Sequence, residues 1–234
     1  MEKHFSWFQY VPGMSELPAH VAGAITVAGI LMVVTLLARL KLASSGNTLV
    51  PSEKVSLLNF FEIIAETLYK MTQGLLGKSA KKYFPLAGTL FIYILASNLI
   101  GMIPGMTPPT DNMNTSLACG LFVFMYYNYV GFRSAGLGYL KHFLGPVWWL
   151  APLMLLIELV SHFVRPLSLG LRLSGNMQGD HMVLGVMTGI APWGLLLPLP
   201  FYLLGAMICL IQAFVFTLLT MVYIAMAEES AHHH

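Results

Sequence analysis

The stretch FVRPLSLGLRLSGNMQGDHMVLGVM (163–187) decides how this chain folds. It is apolar enough to lie inside a membrane, yet it contains Arg172 and, further along, Asp180 and His181. A charged side chain at the centre of a bilayer costs about 2.5–3.5 kcal/mol on the insertion scale, so such residues occur where they have a partner or a function. The first question is therefore whether the surrounding chain spans a membrane.

The whole chain has the composition of a membrane protein. Of its 234 residues, 57% are hydrophobic and only 9% are charged, and the mean hydropathy is +0.73. Soluble domains carry about 25% charged residues. The apolar runs of about 20 residues match the length that a helix needs to cross a hydrocarbon core of about 30 Å. We therefore predict an all-α polytopic membrane protein with about five transmembrane helices plus an interfacial amphipathic helix.

The predicted elements form a single integral-membrane domain over residues 1–234. They are, in chain order, a span at 20–40, an interfacial helix at 52–76, spans at 83–104 and 115–132, and long helices at 147–190 and 201–227. The segment 52–76 is assigned to the interface because Glu62, Glu66 and Lys70 recur at helical spacing opposite a wide apolar face. A soluble connector helix is the alternative for this segment.

The segment 147–190 is too long for a simple span, and its only candidate break is Arg165–Pro166. As one helix it would be about 66 Å long, twice the hydrocarbon thickness. It is either a hairpin of two spans or one steeply tilted helix bent at Pro166. The tilted helix is favoured because a hairpin needs a polar turn. The three prolines of APWGLLLPLP (191–200) then reverse the chain into a last helix, also long and tilted.

The basic residues predict the orientation. Seven of them lie between the end of the first span and the second span: Arg39, Lys41, Lys54, Lys70, Lys78, Lys81 and Lys82. Arg133 and Lys141 follow the third span. The positive-inside rule places these segments in the cytoplasm and the N-terminus outside. The net charge of +2, spread along membrane edges, predicts no nucleic-acid partner.

Helical spacing places polar residues of the long helix on one side. At 100° per residue, five residues fall within an arc of about 60°, namely Glu158, Arg165, Arg172, Asn176 and Gly179. Asp180 lies near the edge of this arc and His181 points to the opposite side. Because Gly175 and Gly179 allow another helix to approach closely, Arg172 is expected at a seam between protein segments. Gln212 is the matching polar residue of the last helix, placed to hydrogen-bond the guanidinium.

Several of these residues also have a purely structural interpretation. Arg165, at the expected bend, fits an interfacial anchor whose charged end reaches water. Glu158 fits an ion pair with Arg165 or His162, and His162 alone fits a hydrogen-bonded side chain of a helix interface. Arg172 is harder to explain in this way, because the only acid of its own helix in the same stretch is Asp180, two turns away.

Motifs of soluble active sites are not found. GLLGKSAKK (74–82) ends like a phosphate-binding loop, but position 72, where the first glycine of that loop should stand, is threonine. No nucleophile elbow, zinc-ligand helix or EF-hand pattern occurs. Cys119 and Cys209 lie far apart in apolar runs. We expect no nucleotide site, no metal, no cofactor and no enzyme activity of the chain by itself.

Four segments resemble the a subunit of F-type ATP synthases, chiefly the bacterial form. They are RPLSLGLRLSGNM (165–177), NLIGMIP (98–104), PTDNMNTSLACGL (109–121) and IQAFVFTLLTMVYIA (211–225). The similarity runs in order from about residue 51 to 226. It implies five spans, a tilted pair of long helices against a ring of c subunits, and a C-terminus in the cytoplasm.

The resemblance also implies residue roles. Arg172 matches the essential arginine that faces the c ring. Asn176 matches the asparagine one turn later, and Gln212 matches the glutamine beside the arginine. Glu158 matches the acid of the cytoplasmic half-channel, and His181 matches a position in the outer half-channel. Some members carry a His or Glu partner at the position of Gly205, and Asp180 stands where the family usually has a small residue. Asp180 is expected to supply the missing acid. Arg165, His162 and Asp111 are three further candidates.

The implied function is the proton-channel (stator) subunit of the Fo sector, which couples ion flow to c-ring rotation in a bacterial inner membrane. The implied partners are the c ring, the peripheral-stalk b subunits and the other ATP synthase subunits, all in a lipid bilayer. A Na⁺-coupled version is the alternative, since the ring largely selects the ion. A self-contained secondary transporter is a remoter one, which would show inverted repeats. A scaffold without transport would not need Arg172.

Overall fold

The computed structural model describes residues 17–44, 57–103, 105–136, 151–190 and 199–229. These residues form six α-helices, which are α1 (Ala19–Ser44), α2 (Leu57–Leu76), α3 (Ala80–Leu99), α4 (Met113–Ala135), α5 (Ala151–Ile190) and α6 (Leu199–Glu229). No strand occurs in the described part of the chain. The predicted class, an all-α polytopic membrane protein, is confirmed.

Four segments of the described residues are long and apolar enough to cross a membrane: Ala19–Leu40, Glu62–Met102, Pro152–Met187 and Leu199–Glu229. The remaining long helix, α4, has 23 residues and a length of about 35 Å, which also suffices for a crossing. The beginning of the predicted interfacial helix (52–56), the residues 147–150 and the predicted chain reversal (191–198) lie outside the described residues.

Helix α5 distinguishes between the two alternatives for the long segment, a single helix and a hairpin of two spans. Its 40 residues form one helix that continues through Pro166, and so the structure contains a single long helix and not the hairpin. At 1.5 Å per residue it extends about 60 Å. Helix α6 is similarly long, with 31 residues. The two longest helices pack against each other and against α4.

The core lies between α3, α4, α5 and α6. Its largest fully buried side chains come from each of these helices and include Tyr83, Ile94, Tyr127, Leu169, Leu173, Phe216, Met221 and Ile224. Helices α4 and α5 approach very closely where Gly120 meets Gly170. A Cβ atom on Gly120 would lie 2.6 Å from the carbonyl oxygen of Pro166, so only glycine fits there. Small residues at a crossing allow this contact, as in other membrane helix pairs.

Among the described residues, helix α1 packs against the rest of the chain through its first half. Ala22 and Val27 are buried against the rest of the chain, whereas large apolar side chains from Ile30 onward are exposed, with Met32 at 73%. An exposed apolar surface of this kind suits lipid or the helices of another chain.

Helix α2 is amphipathic, as the spacing predicts. Leu68 and Thr72 are buried, while Glu66 and Lys70 are exposed and form an ion pair of 2.7 Å on the opposite side. The chain then turns into α3 at Gly77, whose φ of +52° favours glycine. The GKS sequence therefore forms the 3₁₀ turn Gly77–Ser79 between two helices, without a preceding strand in the described residues.

The end of α6 is held at the turn between α2 and α3. The Glu228 Oε1 atom accepts hydrogen bonds from Ser79 Oγ at 3.2 Å and from the Tyr83 hydroxyl at 3.1 Å. Lys82 Nζ donates to the same hydroxyl at 2.9 Å. The last helix therefore ends at the same side of the molecule as the basic segment before α3.

Candidate functional site

The centre of the α5–α6 contact contains a polar pair. Asn176 Nδ2 donates to Gln212 Oε1 at 2.6 Å, which joins two helices that are otherwise apolar here. Gln212 is only 3% exposed, and its Nε2 atom has no hydrogen-bond partner among the described residues. No hydrogen bond joins Gln212 to the Arg172 guanidinium within these residues. The sequence-based expectation of that bond is therefore replaced by an Asn176–Gln212 bond.

Arg172 lies one helical turn before Asn176, and its side chain is exposed. Within the described residues no carboxylate lies within 4.0 Å of the guanidinium, because the ion pairs found there are Glu66–Lys70 and Glu158–Arg165. Among the described residues, a Cβ atom on Gly175 or Gly179 would meet nothing within 4 Å, so the surface beside the arginine is open there. A fixed cation thus stands on an open helix face, where a partner from outside this chain can reach it.

A second polar group surrounds a small cavity nearer the end of α5. The cavity volume is about 10 Å³, close to what one water molecule needs. Its polar lining comes from Asn98, Asp180, His181 and Tyr202. The Asn98 Nδ2 atom is buried without a hydrogen-bond partner in the described residues. Buried polar atoms without a hydrogen-bond partner are uncommon in protein interiors.

Asp180 uses the space that Gly205 leaves open. A Cβ atom on Gly205 would lie 2.8 Å from Asp180 Oδ2 and 3.1 Å from Oδ1. The carboxylate of α5 therefore lies directly against the α6 backbone, where a larger side chain at position 205 would otherwise stand. Asp180 and Gly205, the two positions where the resemblance implies a departure from the usual pattern, are thus spatial neighbours.

Asp111 fixes the connection between α3 and α4 against α5. Its carbonyl oxygen accepts hydrogen bonds from Ser174 Oγ at 3.1 Å and Gln178 Nε2 at 2.8 Å. Its carboxylate Oδ1 is buried without a hydrogen-bond partner in the described residues. Burial raises the pKa of the Asp111 carboxyl above its ordinary value, and the nearby His181 imidazole opposes this rise. A carboxyl with a raised pKa exchanges protons closer to neutral pH.

Glu158 and Arg165 form an ion pair before the proline. The distance from Arg165 Nη2 to Glu158 Oε1 is 3.4 Å, and both side chains are partly exposed. The Arg165 guanidinium also lies 5.9 Å from the centre of the Tyr223 ring on α6. The predicted ion pair of Glu158 with Arg165 is therefore present.

His162 is a member of a buried polar cluster between α4 and α5. It is 6% exposed, and its ring nitrogens lie 3.3 Å from the Tyr127 hydroxyl and 2.9 Å from Asn128 Oδ1. Neither partner was predicted from the sequence. The signal was present as Asn128, an amide residue inside an apolar helix, which by the logic of intramembrane polar residues needs a partner.

The predicted residues therefore form two groups on either side of Arg172 along α5. Glu158 lies about 21 Å before the arginine along the helix axis, and His181 lies about 14 Å after it. Arg172 and the Asn176–Gln212 pair stand between the two groups. The described residues contain no cluster of three or more His, Cys, Asp or Glu side chains that could hold a metal ion.

Long apolar helices, several of them able to cross a membrane, define the class of multi-pass all-α membrane proteins. Residues 22–225 match the family model described as ATP synthase A chain. The chain belongs to this family, whose members are membrane subunits of ATP synthase and not its catalytic subunits.

Curated relatives agree over nearly the full length. The chain is 47% identical over 233 residues to ATP synthase subunit a of Bdellovibrio bacteriovorus, covering 98% of this chain and 99% of that protein. It is 45% identical over 218 residues to the subunit of Geobacter sulfurreducens, covering 92% and 93%. It is 52% identical over 176 residues to subunit a 1 of Syntrophotalea carbinolica, covering 75% and 74%.

Proposed function

We propose that this chain is the stator subunit of the Fo sector that couples proton flow through two half-channels to rotation of a ring of c subunits. The observation that carries the proposal is the exposed Arg172 on α5, which makes no ion pair within the described residues and lies between two separate polar groups. The open surface at Gly175 and Gly179 is where the ring packs against α5. The Asn176–Gln212 bond supports the proposal because it fixes α6 behind the arginine.

The arginine acts through its permanent charge. A guanidinium stays protonated at every physiological pH. Beside a passing ring carboxylate it favours the ionised form, so that carboxylate must release its proton before it reaches Arg172. The ring then carries the next proton around nearly a full turn. Each elementary charge that crosses the membrane field contributes about 2.3 kcal/mol per 100 mV.

The outer half-channel is formed by the group around Asp180 and His181. Asp111, with its raised pKa, takes up protons at the end of α3 and passes them toward His181 and Asp180. An imidazole carries one nitrogen that can accept a proton and one that can donate it, which suits a relay. Asn98 contributes a polar wall to this route. Asn176 and Gln212 provide polar support beside Arg172.

The inner half-channel is formed by the opposite group. Glu158 serves as the exit acid, and the partly exposed Arg165 holds it in place. His162 is assigned to helix packing because its ring is buried among α4 side chains.

The orientation follows from the end of α6. Glu228 lies beside Lys82 and Tyr83, in the basic region that the positive-inside rule assigns to the cytoplasm. We therefore assign the C-terminus to the cytoplasm and the N-terminus to the outside of a bacterial inner membrane. In this orientation Glu158 belongs to the cytoplasmic side of Arg172. Helices α5 and α6, both longer than a bilayer requires, cross it at a steep tilt.

The proposed partners are the c ring at α5, the peripheral-stalk b subunits and the other subunits of ATP synthase. The exposed apolar surface of α1 after Ile30 is available to lipid or to the b subunits. No cofactor and no nucleic acid take part.

The coupling ion is tested in vesicles. The complete ATP synthase containing this chain, reconstituted in sodium-free buffer, is expected to acidify the vesicle interior when ATP is added. The rate should stay unchanged, within about 1.5-fold, when sodium is returned, because carboxylate and imidazole groups transfer protons. If acidification required sodium, the coupling ion would be Na⁺ and not the proton. Transport of a solute by the isolated chain would favour a secondary transporter.

Replacement of His181 by alanine tests the outer half-channel. We expect ATP-driven acidification to slow about tenfold without loss of assembly, because the imidazole relay is gone while Asp111 and Asp180 stay. Met182→Ala, on the exposed neighbouring residue, is the matched control and should pump normally. An unchanged rate for His181→Ala would remove this histidine from the path.

A further inference from the structure

Pro166 creates a specific problem inside α5. In a regular helix the carbonyl of residue 162 accepts a hydrogen bond from the N–H of residue 166. Proline has no N–H, and its ring pushes against the carbonyl four residues earlier. The carbonyl of His162 therefore loses its helical donor at this position, although α5 continues as a single helix on both sides.

The Tyr127 hydroxyl lies within hydrogen-bond distance of that carbonyl. It points from α4 to the His162 carbonyl oxygen at 3.5 Å and to the Nδ1 atom of the same residue at 3.3 Å. Both distances are long for a hydroxyl donor, which fits one proton shared between two acceptors. Tyr127 is 1% exposed, so its hydroxyl is directed at this break and not at solvent.

Asn128 fixes the His162 ring in the orientation that this contact needs. Its Nδ2 atom donates to the Phe124 carbonyl at 2.7 Å, and so its Oδ1 atom faces His162 as an acceptor. His162 Nε2 must then be the donor across the 2.9 Å contact. This leaves Nδ1 of a neutral ring as an acceptor for the Tyr127 hydroxyl.

Helix α4 also contacts the other side of the break. The Pro166 carbonyl oxygen lies so close to Gly120 that a Cβ atom there would be 2.6 Å away. The carbonyls of residues 162 and 166 are therefore both held by α4, one by a hydroxyl and one by direct backbone contact. Kinks at proline are otherwise free to vary in angle with the local surroundings.

We propose that Tyr127 is a positioning residue, which sets the bend of α5 at Pro166 and thereby the placement of Arg172 against the ring. The proposal rests on the function proposed for Arg172. The arginine lies six residues after the proline, about 9 Å along the axis, so a change of about 10° in the bend moves it by roughly 1.5 Å. Displacements near 1 Å can lower the rate of a reaction that depends on exact placement by about 100-fold.

The test is a double-mutant cycle on the complete reconstituted ATP synthase. Tyr127→Phe removes only the hydroxyl and keeps the ring contacts with His162 and Tyr223. We expect it to lower the number of protons pumped per ATP hydrolysed about three- to tenfold, at an unchanged amount of assembled complex. The matched control is Tyr126→Phe, whose hydroxyl has no hydrogen bond within the described residues and which should pump normally.

Pro166→Ala is the second variant of the cycle. It returns an N–H to position 166, which can bond the His162 carbonyl directly. In that background Tyr127→Phe is expected to change pumping per ATP by less than about 1.5-fold. The second measurement is the temperature at which the complex releases this chain, determined for all four variants of the cycle. It tests the coupling even if Pro166→Ala alone pumps poorly.

Each outcome decides the proposal. Equal losses from Tyr127→Phe in both backgrounds on both readouts would overturn it, and so would normal pumping by Tyr127→Phe. Failure of Tyr127→Phe to assemble, corrected by Pro166→Ala, supports it, whereas failure in both backgrounds overturns it. Normal pumping by Arg172→Ala would instead overturn the proposed function, and the release temperatures would still test whether Tyr127 caps the break.

Discussion

Replacing Arg172 by alanine is expected to abolish ATP-driven proton pumping by the assembled complex. The guanidinium is exposed and makes no ion pair within the described residues, so its loss leaves no partner charge unpaired in this part of the chain. The fold should therefore persist, and the damage should be confined to coupling. Without the fixed cation a ring carboxylate can pass while protonated, and protons can cross between the half-channels without rotation.

The measurement is vesicle acidification on addition of ATP, combined with passive proton leak under an imposed potential. We expect pumping to fall at least 100-fold and the leak to rise, with the amount of assembled complex unchanged. The matched control is Arg133→Ala, an exposed arginine at the end of α4 whose Nη1 atom donates to the Tyr129 hydroxyl. Normal pumping by Arg172→Ala would contradict the proposed role.

Hydropathy and helical spacing predicted the fold because a bilayer leaves few alternatives. Backbone polar groups in hydrocarbon must be bonded internally, so long apolar segments become helices. The choice of one helix over a hairpin at 147–190 also followed from physics, since FVRPLSLG lacks a polar turn. What the spacing could not supply was the partner of each polar side chain, because the relative rotation of two helices depends on packing.

The Asn176–Gln212 bond illustrates this limit. Both residues were expected near Arg172, and the long helix was expected to present Arg172 and Asn176 on the same side. The partner of each amide depends on an offset of a few ångströms between α5 and α6. The periodicity of the sequence does not determine this offset. The same holds for Asp180 and Gly205, whose complementarity is visible only when a Cβ atom is placed on the glycine.

The cluster around Tyr127 was not predicted for a different reason. A tyrosine in an aromatic run is usually packing, and its ring does pack here against Phe124 and Tyr223. Its hydroxyl gains significance only through Pro166, which is 39 residues away in sequence. Proline predicts that a carbonyl lacks its helical donor, but the sequence does not say which side chain replaces that donor.

Replacing Gly120 by alanine is expected to have the largest effect on assembly. The added Cβ atom would lie 2.6 Å from the Pro166 carbonyl oxygen and 3.4 Å from the Gly170 nitrogen. Both atoms belong to the backbone of α5, so no side-chain rotation can relieve the contact, and the two helices must separate. Overpacking typically costs about 1–3 kcal/mol, and here it also separates Asp111 from Ser174 and Gln178.

Two further glycines make this prediction specific. Gly88→Ala places its methyl group in open space, and Gly205→Ala meets only the movable carboxylate of Asp180. We expect Gly120→Ala to lower the amount of chain in purified membrane complexes at least fivefold, while Gly88→Ala leaves it unchanged. Gly205→Ala should assemble normally and slow pumping, because it displaces a carboxylate of the proposed outer half-channel. The amount of chain is measured by quantitative immunoblotting of the purified complex. Normal assembly of Gly120→Ala would mean that α4 and α5 do not need their close crossing.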